Sequence, residues 1–135
     1  MGRDNVDVVR EVFRAFDERD YAASLEHFDP DVEWCPMEGT YTGLDGLAAS
    51  IVEWLEPWEE HRIEVERVAD HGGPVLAEIR LTARGGQSGM EVDQRFFQVY
   101  RLRDGRIIRM DEFVDRADAL ASIEPPEGDP QRGTR

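Results

Sequence analysis

The chain contains a single cysteine, Cys35, so no internal disulfide can form. That suits a reducing compartment. Its three histidines, His27, His61 and His71, lack the close pairing of a metal site, and a structural zinc is not expected. No glycine-rich phosphate loop precedes a helix. The run Gly85-Gly86-Gln87-Ser88-Gly89 lies between strand-like segments and reads as a hairpin loop. No apolar run approaches the ~20 residues that span a bilayer. The first residues, Met1-Gly2-Arg3-Asp4-Asn5, have no apolar stretch of the signal-peptide kind. A cytoplasmic protein with no membrane partner is expected. Positive charge is also scarce, with 16 basic against 30 acidic residues and a net charge of -14. An acidic surface repels phosphate, which argues against nucleic acid as a partner. The same charge keeps the chain soluble and needs no more specific role.

What is present is ordinary for a globular chain: 135 residues, 40% hydrophobic and 34% charged. At this size folding buries roughly two thirds of the unfolded surface. Asp4 or Asn5 can cap a first helix, in which Val6, Val9, Val12, Phe13 and Phe16 recur at helical spacing. Asp20 can cap a short second helix carrying Tyr21, Leu25 and Phe28, ended by Asp29-Pro30. Residues 32–35 read as a short strand and 36–41 as a loop. Thr42-Gly43-Leu44-Asp45 has the form of a capping box. The helix it opens carries Leu47, Ile51, Trp54, Leu55 and Trp58 on its apolar side, and Pro57 limits its end.

From residue 61 the hydrophobic period changes from helical to alternating. Residues 61–70, 75–84, 90–103 and 106–115 read as four strands. They are joined by His71-Gly72-Gly73-Pro74, by the glycine run above, and by Asp104-Gly105, a strong two-residue hairpin signal. A last short helix runs to Ile123. The tail, 124–135, has three prolines and no apolar residue and is expected to be disordered. Helices first and a meander last imply an α+β fold in one domain, residues 4–123.

These residues resemble a known family. The first helix, Val8-Val9-Arg10-Glu11-Val12-Phe13, is followed by Phe28-Asp29-Pro30-Asp31-Val32-Glu33-Trp34 and by Tyr41-Thr42-Gly43. Later come Tyr100-Arg101-Leu102-Arg103-Asp104-Gly105-Arg106-Ile107-Ile108 and Phe113-Val114-Asp115-Arg116-Ala117. The pattern is similar to the SnoaL-like branch of the nuclear-transport-factor-2-like cone fold and covers residues 5–123. The resemblance implies a curved antiparallel sheet wrapped as a cone around a pocket, covered by N-terminal helices. Relatives include polyketide cyclases, ketosteroid isomerases, limonene epoxide hydrolases and non-catalytic binding proteins, so the fold alone does not name an activity.

Laid on the sequence, the resemblance implies that Met90, Val92, Gln94, Phe96, Gln98 and Tyr100 face the cavity. Ile108, Met110, Glu112 and Val114 are expected to do the same. Arg95, Phe97 and Val99 should face the convex side, where an apolar patch implies a homodimer. Glu112 matches the late-strand carboxylate that cyclase-like and epoxide-hydrolase-like relatives use for acid–base work. A carboxylate in an apolar cavity has a raised pKa, which brings proton transfer nearer neutrality. The plain alternative is an ion pair at the rim, or a register slip that turns Glu112 outward.

Cys35 stands where ketosteroid isomerases carry their proton-shuttling aspartate, Val12 where they carry a tyrosine, and Gln98 at or near their second acid. All three isomerase groups are therefore absent. The Arg-x-Asp pair of the epoxide hydrolases falls on Ile79 and Leu81 or, one residue along, on Arg80 and Thr82. That set is incomplete as well. Cys35 reads best as a small core residue. Tyr41, Trp54, Phe96 and Met110 are expected to join Cys35, Gln94 and Gln98 in lining a ligand site. Such a lining suits a small apolar or aromatic molecule with a few polar handles. No metal or organic cofactor is implied. Two readings follow: an isomerase- or cyclase-type enzyme that moves a proton beside a carbonyl through Glu112, or a non-catalytic ligand-binding or dimerising domain.

Overall fold

The computed structural model describes residues 4–86 and 89–123. The tail expected to be disordered lies outside the described residues. In chain order the elements are α1 (Asn5–Asp17), α2 (Tyr21–Leu25), β1 (Phe28–Cys35), β2 (Tyr41–Thr42), α3 (Gly43–Leu55), β3 (Trp58–Asp70), β4 (Val75–Gly85), β5 (Glu91–Arg103), β6 (Arg106–Phe113) and α4 (Arg116–Ile123). The six strands form one curved, unclosed sheet in the order β2-β1-β6-β5-β4-β3. The fold is thus α+β, with the helices placed before and after the long meander.

Local chemistry accounts for most boundaries. Asp4 caps α1 by accepting from the backbone N–H of Asp7 at 2.9 Å. Asn5 is not the cap; its side-chain amide donates to the Gly73 carbonyl at 3.0 Å and ties the helix start to the β3–β4 turn. Asp20 caps α2 through the Ala23 N–H at 3.2 Å. Asp104 and Gly105 have φ of 54° and 80°, the double left-handed pair of a tight hairpin turn.

Four expectations about element bounds, capping and strand pairing differ from the structure. First, α2 stops at Leu25, and Phe28 begins β1, which runs through Pro30. Pro30 is tolerated because β1 pairs by register only at Phe28 and again from Glu33 on its β6 side, so the missing N–H breaks no ladder there. Second, Thr42 precedes α3 without a side-chain capping bond. Tyr41 and Thr42 instead pair with Trp34 and Glu33 as a two-residue strand. Third, Trp58 is not on α3 but opens β3. Fourth, the sheet is not wholly antiparallel: β1 lies parallel to β6, with Trp34 opposite Met110 and Cys35 opposite Asp111.

The main core fills the concave side. Val8, Val9 and Val12 of α1 meet Leu47 of α3 and the inward residues of the sheet, among them Ile79, Tyr100, Ile107 and Met110. The β5–β6 register shifts between Arg101 and Leu102, leaving Ile108 as the extra residue. A bulge interrupts the two-residue alternation. Ile107 and Met110 are therefore both fully buried in this core, and Ile108 is not part of it. Val114, also expected inside, lies beyond the end of β6 and is exposed.

The convex face carries a second, smaller cluster. Leu76 and Val99 pack beneath Ala119 of α4, flanked by Phe97, Phe113 and Leu120. Arg101 fixes the end of α4 by donating to the Ser122 carbonyl at 2.8 Å. Val99 is fully covered within one chain, so its burial gives no reason to expect a homodimer there. Elsewhere this face is charged, with Arg80 bidentate to Asp93 and Arg95 bidentate to Glu66.

Met110 has no exposed surface and sits where β1, β6 and the helices converge. Met110→Ala is expected to cost about 2–5 kcal/mol, read as a lowered midpoint in urea denaturation.

Candidate functional site

The concave side is not completely filled. A cavity of about 410 Å³ remains between the sheet and the helices. Helix α1 contributes Val12, Phe13 and Phe16, and α3 contributes Ile51 and Trp54. The floor is the inward row of the meander: Ile63 of β3, Ile79 and Leu81 of β4, and Phe96, Gln98 and Tyr100 of β5. Phe28 and Trp34 of β1 close one side. Met37, Glu38 and Glu53 line the cavity and are also exposed, so they mark its opening. Tyr41 stands with them and donates its hydroxyl to Glu53 at 3.3 Å.

In this mostly apolar space the buried Gln98 and Tyr100 and the half-buried Glu112 are linked by hydrogen bonds. Gln98 and Glu112 are direct cross-strand partners on β5 and β6, which brings their side chains together on the same face. Gln98 Nε2 donates to Glu112 Oε2 at 2.8 Å. Tyr100, two residues along β5, projects from that face too. Its hydroxyl donates to Gln98 Oε1. The second Glu112 oxygen, Oε1, accepts from the Met37 backbone N–H at 3.4 Å. Around Tyr100 the rings of Phe13 and Trp34 stand at 6.1 and 6.4 Å, and Phe28 meets Trp34 at 5.9 Å.

Burial pushes the Glu112 carboxyl above the ordinary glutamate value, and the Gln98 and Met37 donors offset part of that rise. Burial and then the Glu112 charge push the Tyr100 phenol well above its usual range, so it remains a donor. At the opening, the Glu53 charge raises the Tyr41 phenol. His61 lies behind the lining, against Trp54 at 5.7 Å and Phe16 at 6.2 Å. Burial and then the nearby Arg19 lower its value, which leaves it neutral at pH 7.

Of the residues expected at the site, Glu112, Tyr41, Trp54, Phe96 and Gln98 are brought together on the cavity wall. Cys35, Gln94 and Met110 are not among its lining residues. Cys35 follows Trp34 in an extended strand, and since Trp34 points in, alternation turns Cys35 to the other face. Gln94 lies on the inward row, opposite Leu81, but β5 outruns the helical cover there and the residue is exposed. Met110 is sealed in the core instead of facing the space. Trp34, Phe28 and Met37 were not anticipated at the site. The first two required knowing that β1 packs beside β6, and Met37 contributes a backbone group that no side-chain pattern reveals.

Neither catalytic set of the resembled enzymes is assembled here. Val12, Ile79 and Leu81 line the cavity as apolar groups, and Arg80 points away to Asp93. Among the described residues no group of histidine, cysteine, aspartate and glutamate is arranged to hold a metal ion. No described helix is long and apolar enough to cross a membrane.

The Glu112 shift has a consequence for stability. With its folded value above the unfolded one, the native state retains the proton over the interval between them. Stability is then lost as pH rises through that interval, and a Gln at this position does not share the loss. The melting temperature of Glu112→Gln relative to wild type should therefore climb as pH rises from the ordinary glutamate range, then level off. A flat or falling difference would contradict the burial of this carboxyl.

A family model described as a SnoaL-like domain matches residues 9–110. The uncharacterised protein Rv0034 of Mycobacterium tuberculosis is 31% identical over 125 residues, covering 87% of this chain and 92% of that one. Among solved structures, an NTF2-like protein from Burkholderia thailandensis superposes with a TM-score of 0.78 at 24% identity, covering 91% of this chain and 99% of that chain. A proposed SnoaL-like polyketide cyclase from Jannaschia gives 0.72 at 24% identity, covering 93% and 99%. TerC, crystallised with polyporic acid, gives 0.74 at 21% identity, covering 90% and 98%. At these identities the structures establish the fold alone.

Proposed function

Since the chain belongs to the SnoaL-like domain family, we propose that its cavity binds a small, largely apolar, carbonyl-bearing molecule and that Glu112 moves a proton on it. The observation that carries this reading is the shielded carboxylate in an aromatic cavity, held by Gln98 and Met37. Desolvation raises its basicity, and a base with a value nearer neutrality is the better proton acceptor at working pH. The chemistry is of the isomerase or cyclase class. Glu112 takes a proton from carbon next to a carbonyl, giving an enolate, and returns it at another position or as a bond closes. Gln98 orients the carboxylate, and the aromatic walls exclude water.

A second reading, a binding domain without catalysis, is favoured by the lining itself. Among the described lining residues no aspartate, arginine or histidine accompanies Glu112, so the assisting groups of both resembled enzyme types are absent.

One experiment separates the two. Wild type and Glu112→Gln are screened by thermal shift against polyketide-like aromatics, steroids, terpenoids and polyporic acid. Binders are then followed by NMR in D2O for exchange of the hydrogens beside the carbonyl. A bound ligand raises the melting midpoint by mass action. Catalysis is expected as exchange in wild type that falls about 10²–10⁴-fold in Glu112→Gln, compared with both proteins saturated by the ligand. Binding without exchange in either protein would favour the second reading.

A further inference from the structure

The charges bordering the cavity are all of one sign. Its described lining includes Glu112 and, at the opening, Glu38 and Glu53, and includes no arginine or histidine; the chain has no lysine. The nearest histidine, His61, stands behind the rings of Phe16 and Trp54. The described arginine ion pairs are made by side chains outside the lining, such as those of Arg80, Arg95 and Arg109. An anion entering this space would meet carboxylates and no counter-charge.

The hydrogen bonds around Glu112 fix the form it takes. Both of its neighbours donate to it, Gln98 through Nε2 and Met37 through its backbone N–H. The amide of Gln98 cannot turn its oxygen toward Glu112 without giving up the bond from Tyr100. Together these two donors suit a carboxylate, and they offer no acceptor to the O–H of a protonated acid. A carboxylate removed from water is costly unless it is paired with a positive charge. Aromatic rings add to the preference, because their faces attract cations most strongly where water is excluded. Phe13 and Trp34 stand beside Tyr100, at the same end as the carboxylate.

We propose that the molecule taken by this cavity is an organic cation, an ammonium carried on an apolar or aromatic body, with Glu112 as its counter-charge. Fatty acids, phosphate esters and other anions are rejected. This specificity rests on the reading of the cavity as a small-molecule site and supplies the charge class of its ligand.

A matched set of probes tests it: phenylbutylamine, phenylbutanol and phenylbutyrate, titrated calorimetrically at neutral pH and low salt. The amine is expected to bind at least about ten-fold tighter than the alcohol, with no binding of the butyrate. In Glu112→Gln the amine should lose its advantage and fall to the level of the alcohol measured on the same variant. Glu53→Gln, at the opening, should reduce amine binding by no more than about three-fold, because solvent screens it. If the Glu112→Gln chain fails to fold, the wild-type ratio of amine to alcohol still decides. Binding of the alcohol with no advantage to the amine, or binding of the butyrate, would overturn the charge preference and leave the small-molecule site standing. Failure of all three probes to bind would overturn both.

Discussion

The side-chain amide of Gln98 is the contact on which the site depends. One end accepts from Tyr100 and the other donates to Glu112. A buried amide left half-paired would cost more than an apolar residue of the same shape. Here each end has a partner, and the pairing has a direction. Tyr100 is fully buried and its phenol is held protonated, so its O–H points at the amide oxygen and the amide N–H₂ is left facing the carboxylate. A proton-accepting group is in this way held at a set position in a cavity whose lining is mostly apolar.

The sheet makes that arrangement possible. Residues 98–100 of β5 are buried on both faces, Gln98 and Tyr100 toward the cavity and Val99 beneath α4. A strand covered on both sides cannot slip register without exposing one apolar set and burying charge. The bulge at Ile108 then matters for β6. It lets Ile107 and Met110 share the core while keeping Glu112 in step with Gln98. Parallel pairing of β1 against β6 brings Trp34 over the same end of the cavity, and it carries the Pro36–Met37 segment to where a backbone N–H meets Glu112. The strands are thus the rigid frame of the site.

Much of this was legible in the sequence because it follows from alternation and turn chemistry. The four long strands come from a period of two and the Asp104-Gly105 hairpin from turn chemistry, whereas the inward row of Phe96, Gln98 and Tyr100 was implied by the family resemblance. The direction of Glu112 was not fixed by the sequence, because a one-residue slip turns it outward, and the bulge that leaves Ile108 as the extra residue has no signature in hydrophobicity. Cys35 was brought to the site by the family resemblance, but it follows the inward-pointing Trp34 in an extended strand and faces the other way. Gln94 had the right face but lies beyond the helices, and the reach of a cover is a tertiary property. Val99 was correctly read as needing burial. Its cover is α4 from the same chain, a helix whose weak amphipathicity hid its role. The Thr42 side chain makes no capping bond, and Tyr41 and Thr42 are drawn instead into strand pairing with β1.

The most direct measurement is a ¹³C NMR titration of the Glu112 side-chain carboxyl in the intact protein, assigned by its loss in Glu112→Gln. A single midpoint above the range of the exposed glutamates is expected, with the Gln98 amide protons shifting in step as the charge they face appears. A midpoint within that range, with the Gln98 signals unmoved, would mean that Glu112 is solvated and unpaired, and the shielded carboxylate at the centre of the site would not exist.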